Sequence, residues 1–408
     1  MGKDIPTSKK IIALVLITFI HASLMGAINQ TAGLGPRIIE DLGITTPEFS
    51  SVLTISFLTG AIFGIPFGIF ADKTKIRWAV FTGLAVAAIG AWMRPFSTTY
   101  LLLYISNFVI GFGLAGLNAN SVKFLSAWYG NKITIAIGIY VAGAGLGITC
   151  ALQVPQFFSS WNECYMVFAV VLTIAAILWA LLGDVPKGVA VEKDDLRVQD
   201  FVNVAKIPAV WISSLAMTFA MASGILVASF MTTALVQGMG FTEQAANNLS
   251  SLNSLVNIVG CFLLPVVIDR LNSIRAGVLI LSVCCALCVV VGWFSTAYIV
   301  ASILFVMEGF FAGGVPGPTK ASMGLIKPVI ASRETMGAAG GLQTTLQNIG
   351  AFVIPTLIVT PLAGGDFSMH WILTAVVFLV GGLLLFCIPK SQLIKTGKNA
   401  DNIEDIVA

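Results

Sequence analysis

The sequence predicts an all-α integral membrane protein with twelve transmembrane helices arranged as two pseudo-symmetric six-helix bundles. Three observations carry that prediction. Hydrophobic residues make up 57% of the chain and charged residues 10%, with a mean hydropathy of +0.94, whereas a typical soluble domain is about a quarter charged. The apolar residues gather into about twelve runs, each near the ~20 residues that a membrane helix requires. A charged hairpin after the second run returns, in degraded form, after the eighth.

The runs lie near 11–34, 51–70, 78–95, 100–122, 133–153, 164–183, 208–236, 246–268, 275–293, 297–318, 336–360 and 368–388. They lack polar/apolar alternation, which excludes the strands of a membrane barrel. The first run follows a short basic segment, but it is too long for a signal peptide, lacks a small-residue cleavage site and ends in Gln30-Thr-Ala-Gly-Leu-Gly-Pro36. It reads as the first transmembrane helix. The polar stretch 184–207, DVPKGVAVEKDDLRVQDFVNVAKI, divides the chain into an N-terminal bundle (1–183), a central cytoplasmic loop and a C-terminal bundle with its tail (208–408).

With both termini inside, every Lys and Arg except Arg37 and Arg94 falls in a predicted cytoplasmic segment. The positive-inside rule therefore sets a multi-pass topology in a cell (inner) membrane with cytoplasmic termini. Arg94, at the outer end of the third run, reads as an interface anchor. The net charge of +3 reflects this topology and gives no sign of a nucleic-acid partner. The seven cysteines lie in or beside apolar runs without metal or redox spacing. No P-loop, zinc motif or nucleophile elbow appears, so neither an enzyme activity nor a cofactor is expected, and ATP is not the expected energy source.

The hairpin reads Gly68-Ile-Phe-Ala-Asp72-Lys73-Thr-Lys75-Ile-Arg77, and its second copy Pro265-Val-Val-Ile-Asp269-Arg270-Leu-Asn-Ser-Ile-Arg275. A second internal match sets Gly111–Lys123 of the fourth run beside Gly309–Lys320 of the tenth, with the Ala-Gly pairs 115–116 and 312–313 in register when the lysines are aligned. The first hairpin resembles the loop 2–3 signature of the major facilitator superfamily. The junction Ser126-Ala-Trp128-Tyr129-Gly130-Asn131-Lys132, followed by Gly138, Gly143, Gly145 and Gly147, is similar to that of its oxalate/formate, nitrate/nitrite and cyanate-type branches. The resemblance implies parallel repeats working by alternating access. The chain departs from those branches in having no arginine inside runs two and eight and no lysine inside run eleven. The buried cations that bind nitrate or oxalate there have no counterpart.

Ionisable groups at membrane depth are the first candidates for chemistry. Counting from Ala297 at about 1.5 Å per residue puts Glu308 about 16 Å deep, near the middle of a ~30 Å core, which suits a carrier of the coupled proton. His21 lies about 15 Å along its run and suits a proton relay or, alternatively, a hydrogen bond to a neighbouring backbone. His21, Met25 and Asn29 share one helix face, so Asn29 and Gln30 are candidate substrate contacts. Asn118, Tyr140, Asn253, Asn257, Gln343 and Gln347 are further candidates, each with helix packing as the alternative. Lys123 and Lys320 close matched helices and either snorkel to the headgroups or flank the inner mouth and draw in an anion. Asp72, Lys73 and Arg77, with Asp269 and Arg270 in the second copy, are candidate gating residues, Asp72 being expected to face cations or a helix N-terminus across the half-to-half interface. Gly143, Gly145 and Gly147, with Gly337, Gly340 and Gly341, serve either packing or hinge motion.

These features predict a monomeric, bilayer-embedded secondary transporter of a small polar solute, an organic anion such as a monocarboxylate, with proton coupling or exchange. Proton-coupled efflux of a neutral or cationic amphiphile is the alternative within transport. A non-transporting sensor or lipid translocase is the alternative outside it.

Overall fold

The computed structural model describes residues 6–130, 133–186, 198–271, 273–330 and 333–389, without the side chains of Thr134, Val198, Arg333 and Glu334. Among these residues twelve helices are long and apolar enough to cross a membrane. In order they are Thr7–Gly33, Thr46–Lys73, Ile76–Phe96, Tyr100–Tyr129, Ile135–Phe157, Trp161–Leu182, Pro208–Met239, Glu243–Arg270, Ile274–Phe294, Tyr298–Leu325, Thr335–Ala363 and Phe367–Cys387, the first to twelfth spans. Each coincides with one predicted run. Short helices Gly35–Leu42 and Val198–Ala205 follow the first span and precede the seventh.

Polar residues at the run boundaries start the helices by satisfying amides that have no intrahelical acceptor. Thr45 and Glu48 form a reciprocal capping box ahead of the second span, with the Glu48 carboxylate accepting from the Thr45 N–H at 2.8 Å. The side chains of Thr99, Ser160, Ser273 and Asp366 cap the fourth, sixth, ninth and twelfth spans.

Several spans outrun their predicted limits. The second continues through Asp72 and Lys73, so the hairpin connection shrinks to Thr74 and Lys75. The fourth continues to Tyr129 and stops at Gly130, whose φ of +49° only glycine adopts without strain. Lys123 therefore sits inside a helix and does not close one. Irregular turns that hydropathy cannot reveal also appear. The tenth span pauses after Gly313 and restarts at Pro316. In the eleventh, Ile354–Val359 forms a π-helical turn around Pro355, whose carbonyl accepts from Thr360 Oγ1 at 2.8 Å.

The spans pack into two units, residues 1–193 with 228–254 and residues 194–227 with 255–408. Within the first unit the fifth span crosses the first at Gly147, where a Cβ would run into the Ala22 carbonyl and main chain. The fourth crosses the second at Gly111, against the Ser56 carbonyl and Thr59. The second unit repeats both solutions: Gly313 of the tenth span lies on the Asn257 carbonyl of the eighth, and Gly350 of the eleventh on Thr218 of the seventh. Hydrocarbon gives no hydrophobic reward for helix association, so close backbone approach through small residues supplies it.

Gly143 and Gly147 are thus packing positions, Gly143 against Thr18. In the eleventh span the crossing glycine is Gly350. Gly340 has open space around its Cβ direction, and Gly341 meets the Phe201 ring at 3.5 Å. Gly147→Ala is therefore expected to lower the Tm of the purified protein, since overpacking against unyielding backbone costs ~1–3 kcal/mol. Gly340→Ala should leave Tm unchanged or raise it, because alanine gains about 0.5–1 kcal/mol over glycine in a helix. Equal losses at the two sites would contradict this assignment.

Candidate functional site

Within the first unit, the midpoint of the first span brings two predicted residues together. The His21 ring stacks on that of Tyr140 from the fifth span, with centroids 4.0 Å apart and planes 8° from parallel. His21 Nδ1 lies 3.0 Å from the Tyr140 carbonyl oxygen. That bond requires the proton on Nδ1 and leaves Nε2 as the acceptor. Both residues are buried. Asn29, half-buried one turn beyond Met25, donates to the Met25 carbonyl at 2.9 Å. Gln30 is fully buried and donates to the Cys164 carbonyl at 2.6 Å, tying the first span to the sixth. Asn118 is exposed and Asn253 buried.

Arg94 corrects its sequence reading. It is 1% exposed. Its guanidinium donates to the Ala27 carbonyl and to Asn107 Oδ1 and lies 5.0 Å over the Tyr165 ring. Helical side chains lean toward the helix N-terminus, which turns this one into the bundle and away from the headgroups. Asn107 is oriented for the role: its amide nitrogen donates to the Leu103 carbonyl at 2.9 Å, which directs the oxygen at Arg94. Tyr165 Oη is 3.0 Å from Thr31 Oγ1. Asn107 and Tyr165 in otherwise apolar runs were the sequence signal for a buried polar centre.

A polar seam joins the far ends of several spans of the same unit. Arg37 pairs with Glu243 at 2.9 Å and donates to the carbonyls of Phe158 at 2.8 Å and Pro155 at 3.0 Å. Asn247 donates to the Gly33 carbonyl at 3.2 Å, and Gln153 to Ser251 Oγ at 2.8 Å. Arg37, Pro155 and Glu243 line a cavity of ≈ 370 Å³ there. Distant partners made this seam invisible to sequence periodicity.

In the second unit Glu308 is 1% exposed, on the tenth span beside the ninth. The Cys285 thiol contacts its backbone carbonyl at 3.9 Å. Gln343 is buried and donates to Ser213 Oγ at 3.4 Å, and Ser213 Oγ is 2.8 Å from Ser322 Oγ. This amide–hydroxyl cluster links the eleventh, seventh and tenth spans. Gln347 and Asn257 are half-buried, and Lys320 is exposed. His370, which sequence reasoning passed over, is 2% exposed and meets the Trp371 ring edge-on, with centroids 5.2 Å apart.

The hairpin residues hold the first unit together. Asp72 Oδ1 accepts from Lys123 Nζ at 2.8 Å, a pairing that the longer fourth helix makes possible. The partner of Asp72 is thus in its own bundle, contrary to the expected contact across the halves, and Lys123 spends its charge there. Arg77 pairs with Asp184 at 2.5 Å and also donates to the Ala180 carbonyl, while its own carbonyl accepts from Trp179 Nε1 at 2.9 Å. Lys73, Asp269 and Arg270 are exposed.

The family model described as Major Facilitator Superfamily matches residues 14–355. The chain is 25% identical over 155 residues to the probable nitrate transporter NarT of Staphylococcus carnosus (38% of this chain, 40% of that protein). It is 24% identical over 327 residues to the probable transporter MCH2 of Saccharomyces cerevisiae (78% and 66%). It is 28% identical over 148 residues to the sialic acid transporter NanX of Escherichia coli (35% and 36%). Each match spans less than two-thirds of the relative's length. In fold, the chain matches the nucleoside transporter NupG with a TM-score of 0.77 at 16% identity, covering 94% of this chain and 100% of that one. It matches the E. coli fucose:proton symporter FucP with a TM-score of 0.63 at 18% identity, with the same coverages.

The Asp72–Lys123 pair is partly shielded, at 26% and 13% side-chain exposure. Its contribution belongs between the ~0–1 kcal/mol of exposed pairs and the ~3–5 kcal/mol lost on breaking buried ones. Asp72→Asn and Lys123→Gln should each lower Tm and turnover, whereas Asp269→Asn should change neither. A double-mutant cycle on Asp72 and Lys123 should give a coupling energy above experimental error. Additive effects, or an equal loss for Asp269→Asn, would contradict the pairing.

Proposed function

The chain belongs to the major facilitator superfamily, and on that premise we propose that this multi-pass secondary transporter moves a small polar solute, an organic anion such as a monocarboxylate. Transport runs by alternating access with proton coupling or exchange. The cation distribution supports a cell membrane location with both termini cytoplasmic. Relatives named for nitrate and sialic acid support an anionic solute. A fold neighbour named as a proton symporter supports proton coupling.

The buried carboxyl of Glu308 at the middle of the tenth span carries this reading. A carboxyl kept from water at membrane depth is expensive and marks an ion or proton path by default. Glu308 takes up the coupled proton, and His21 assists through its Nε2 acceptor. Tyr140, Asn118, Asn253, Asn257, Gln343, Gln347 and Lys320 supply polar contacts along the solute's route. Asp72 and Arg77 act on gating by keeping the second, fourth, third and sixth spans in one rigid body.

Glu308→Gln preserves shape and hydrogen bonding while fixing the group neutral. In proteoliposomes the variant should lose solute accumulation driven by a pH gradient yet retain solute–solute exchange, which needs no net proton movement. Undiminished pH-driven accumulation at normal protein levels would remove Glu308 from the mechanism.

A further inference from the structure

Arg94 is the buried charge whose surroundings are least explained by packing. Its Cα sits near the end of the third span, where a long cationic side chain would ordinarily reach for water. It turns inward instead. Its acceptors, Ala27 and Asn107, lie six and seven residues inside the ends of the first and fourth spans, about 9–10 Å below them at 1.5 Å per residue. Among the described residues the ion pairs are Arg37–Glu243, Arg77–Asp184 and Lys123–Asp72, and no carboxylate stands against Arg94. The groups around the guanidinium are a backbone carbonyl, a neutral amide and an aromatic face, while Nε is buried without a hydrogen-bond partner.

A buried cation left without a counter-carboxylate is costly. Pairing normally relieves that cost, and a purely structural tie could use a neutral donor in its place. What arginine adds is a fixed positive charge. Its acceptor Ala27 lies between His21 and the Asn29–Gln30 pair in sequence but on the opposite side of the first helix from Met25 and Asn29, so the charge acts on that polar face across the width of one helix, about 10 Å.

We propose that Arg94 is the specificity-determining residue of the first unit: held without a counter-carboxylate inside the bundle, it gives the polar face of the first span a positive potential that favours small anions, carboxylates above all, over neutral and cationic solutes. The charge acts through space, so Arg94 itself need not touch the solute. The inference rests on the reading of the protein as a transporter of small polar solutes and names what sets their charge. At ~10 Å and an effective dielectric constant near 20, one unit charge changes the local preference for a monovalent ion on the order of tenfold.

The test reads that potential without a known substrate. In the chain with its seven native cysteines replaced, Asn29→Cys is introduced across the first helix from Arg94 and, separately, Asn118→Cys eleven residues beyond Asn107 on the fourth span. Modification rates are measured with an anionic sulfonatoethyl and a cationic trimethylammonioethyl methanethiosulfonate, and a neutral methyl reagent normalises for access. Arg94→Gln, which keeps a hydrogen-bond donor but drops the charge, should lower the anionic-to-cationic rate ratio at position 29 about a hundredfold, because the anionic rate falls and the cationic rate rises by about tenfold each, with a smaller change at position 118. Arg94→Lys, which keeps the charge but loses the planar fork, should leave the ratio within about twofold of the parent. An unchanged ratio in Arg94→Gln, or equal losses in both variants, would reduce Arg94 to a hydrogen-bonding tie. If the ratio falls as stated but no small carboxylate is transported, the charge assignment stands and the proposed solute is wrong.

Discussion

Hydrocarbon offers a polar group nothing to bond to, and most of what this chain does with its polar residues answers that constraint. The backbone meets it by becoming helix throughout the membrane. Many side chains meet it by folding back one turn: Ser23 onto Phe19, Thr54 onto Ser50, Ser106 onto Leu102 and Thr344 onto Gly340. Such bonds give the hydroxyl an acceptor without joining helices. Other bonds reach a second span, and among them are those that mark the polar centres: His21 to Tyr140, Gln30 to Cys164, Arg94 to Ala27 and Asn107, Gln343 to Ser213.

Charge follows the same rule with higher stakes. The ion pairs Arg77–Asp184 and Lys123–Asp72 lie near one end of the spans and Arg37–Glu243 near the other, where water lowers the cost of each partner. Arg94 and Glu308 are both buried, one in each unit. A transporter that moves an anion together with a proton has use for both, a fixed cation that attracts the solute and a carboxyl that changes charge. The glycine crossings hold these groups in place. Gly147 and Gly111 fix the first, second, fourth and fifth spans around the His21 face, and Gly313 and Gly350 repeat the device in the second unit.

The fold was largely legible from the sequence, because span length and cation bias are one-dimensional properties. Twelve apolar runs became twelve spans, and the repeated hairpin and glycine helix announced the duplication that the crossings display. Legibility ended where the third dimension decides. Lys123 looked like a helix end because its run loses apolar character, yet the helix continues for almost two turns and hands the lysine to Asp72. Arg94 looked like a headgroup anchor because it sits at a run boundary, and only the inward lean of its side chain shows otherwise. The seam joins Arg37 to residues more than one hundred positions away, Phe158 and Glu243, which no periodicity can pair. Buried residues such as Glu308 and His21 were recognisable as candidates because a charge or imidazole in an apolar run is conspicuous, but their neighbours were not.

The central claim, that this protein is a secondary transporter of a small anion, is tested most directly by counterflow. Purified protein in liposomes preloaded with a millimolar small monocarboxylate is diluted into a trace of the same compound carrying a radiolabel, without nucleotide. The account predicts a transient rise of internal label above equilibrium that an excess of unlabelled carboxylate outside abolishes and the neutral amide analogue does not. Label that never exceeds the protein-free control across a panel of small carboxylates would contradict it.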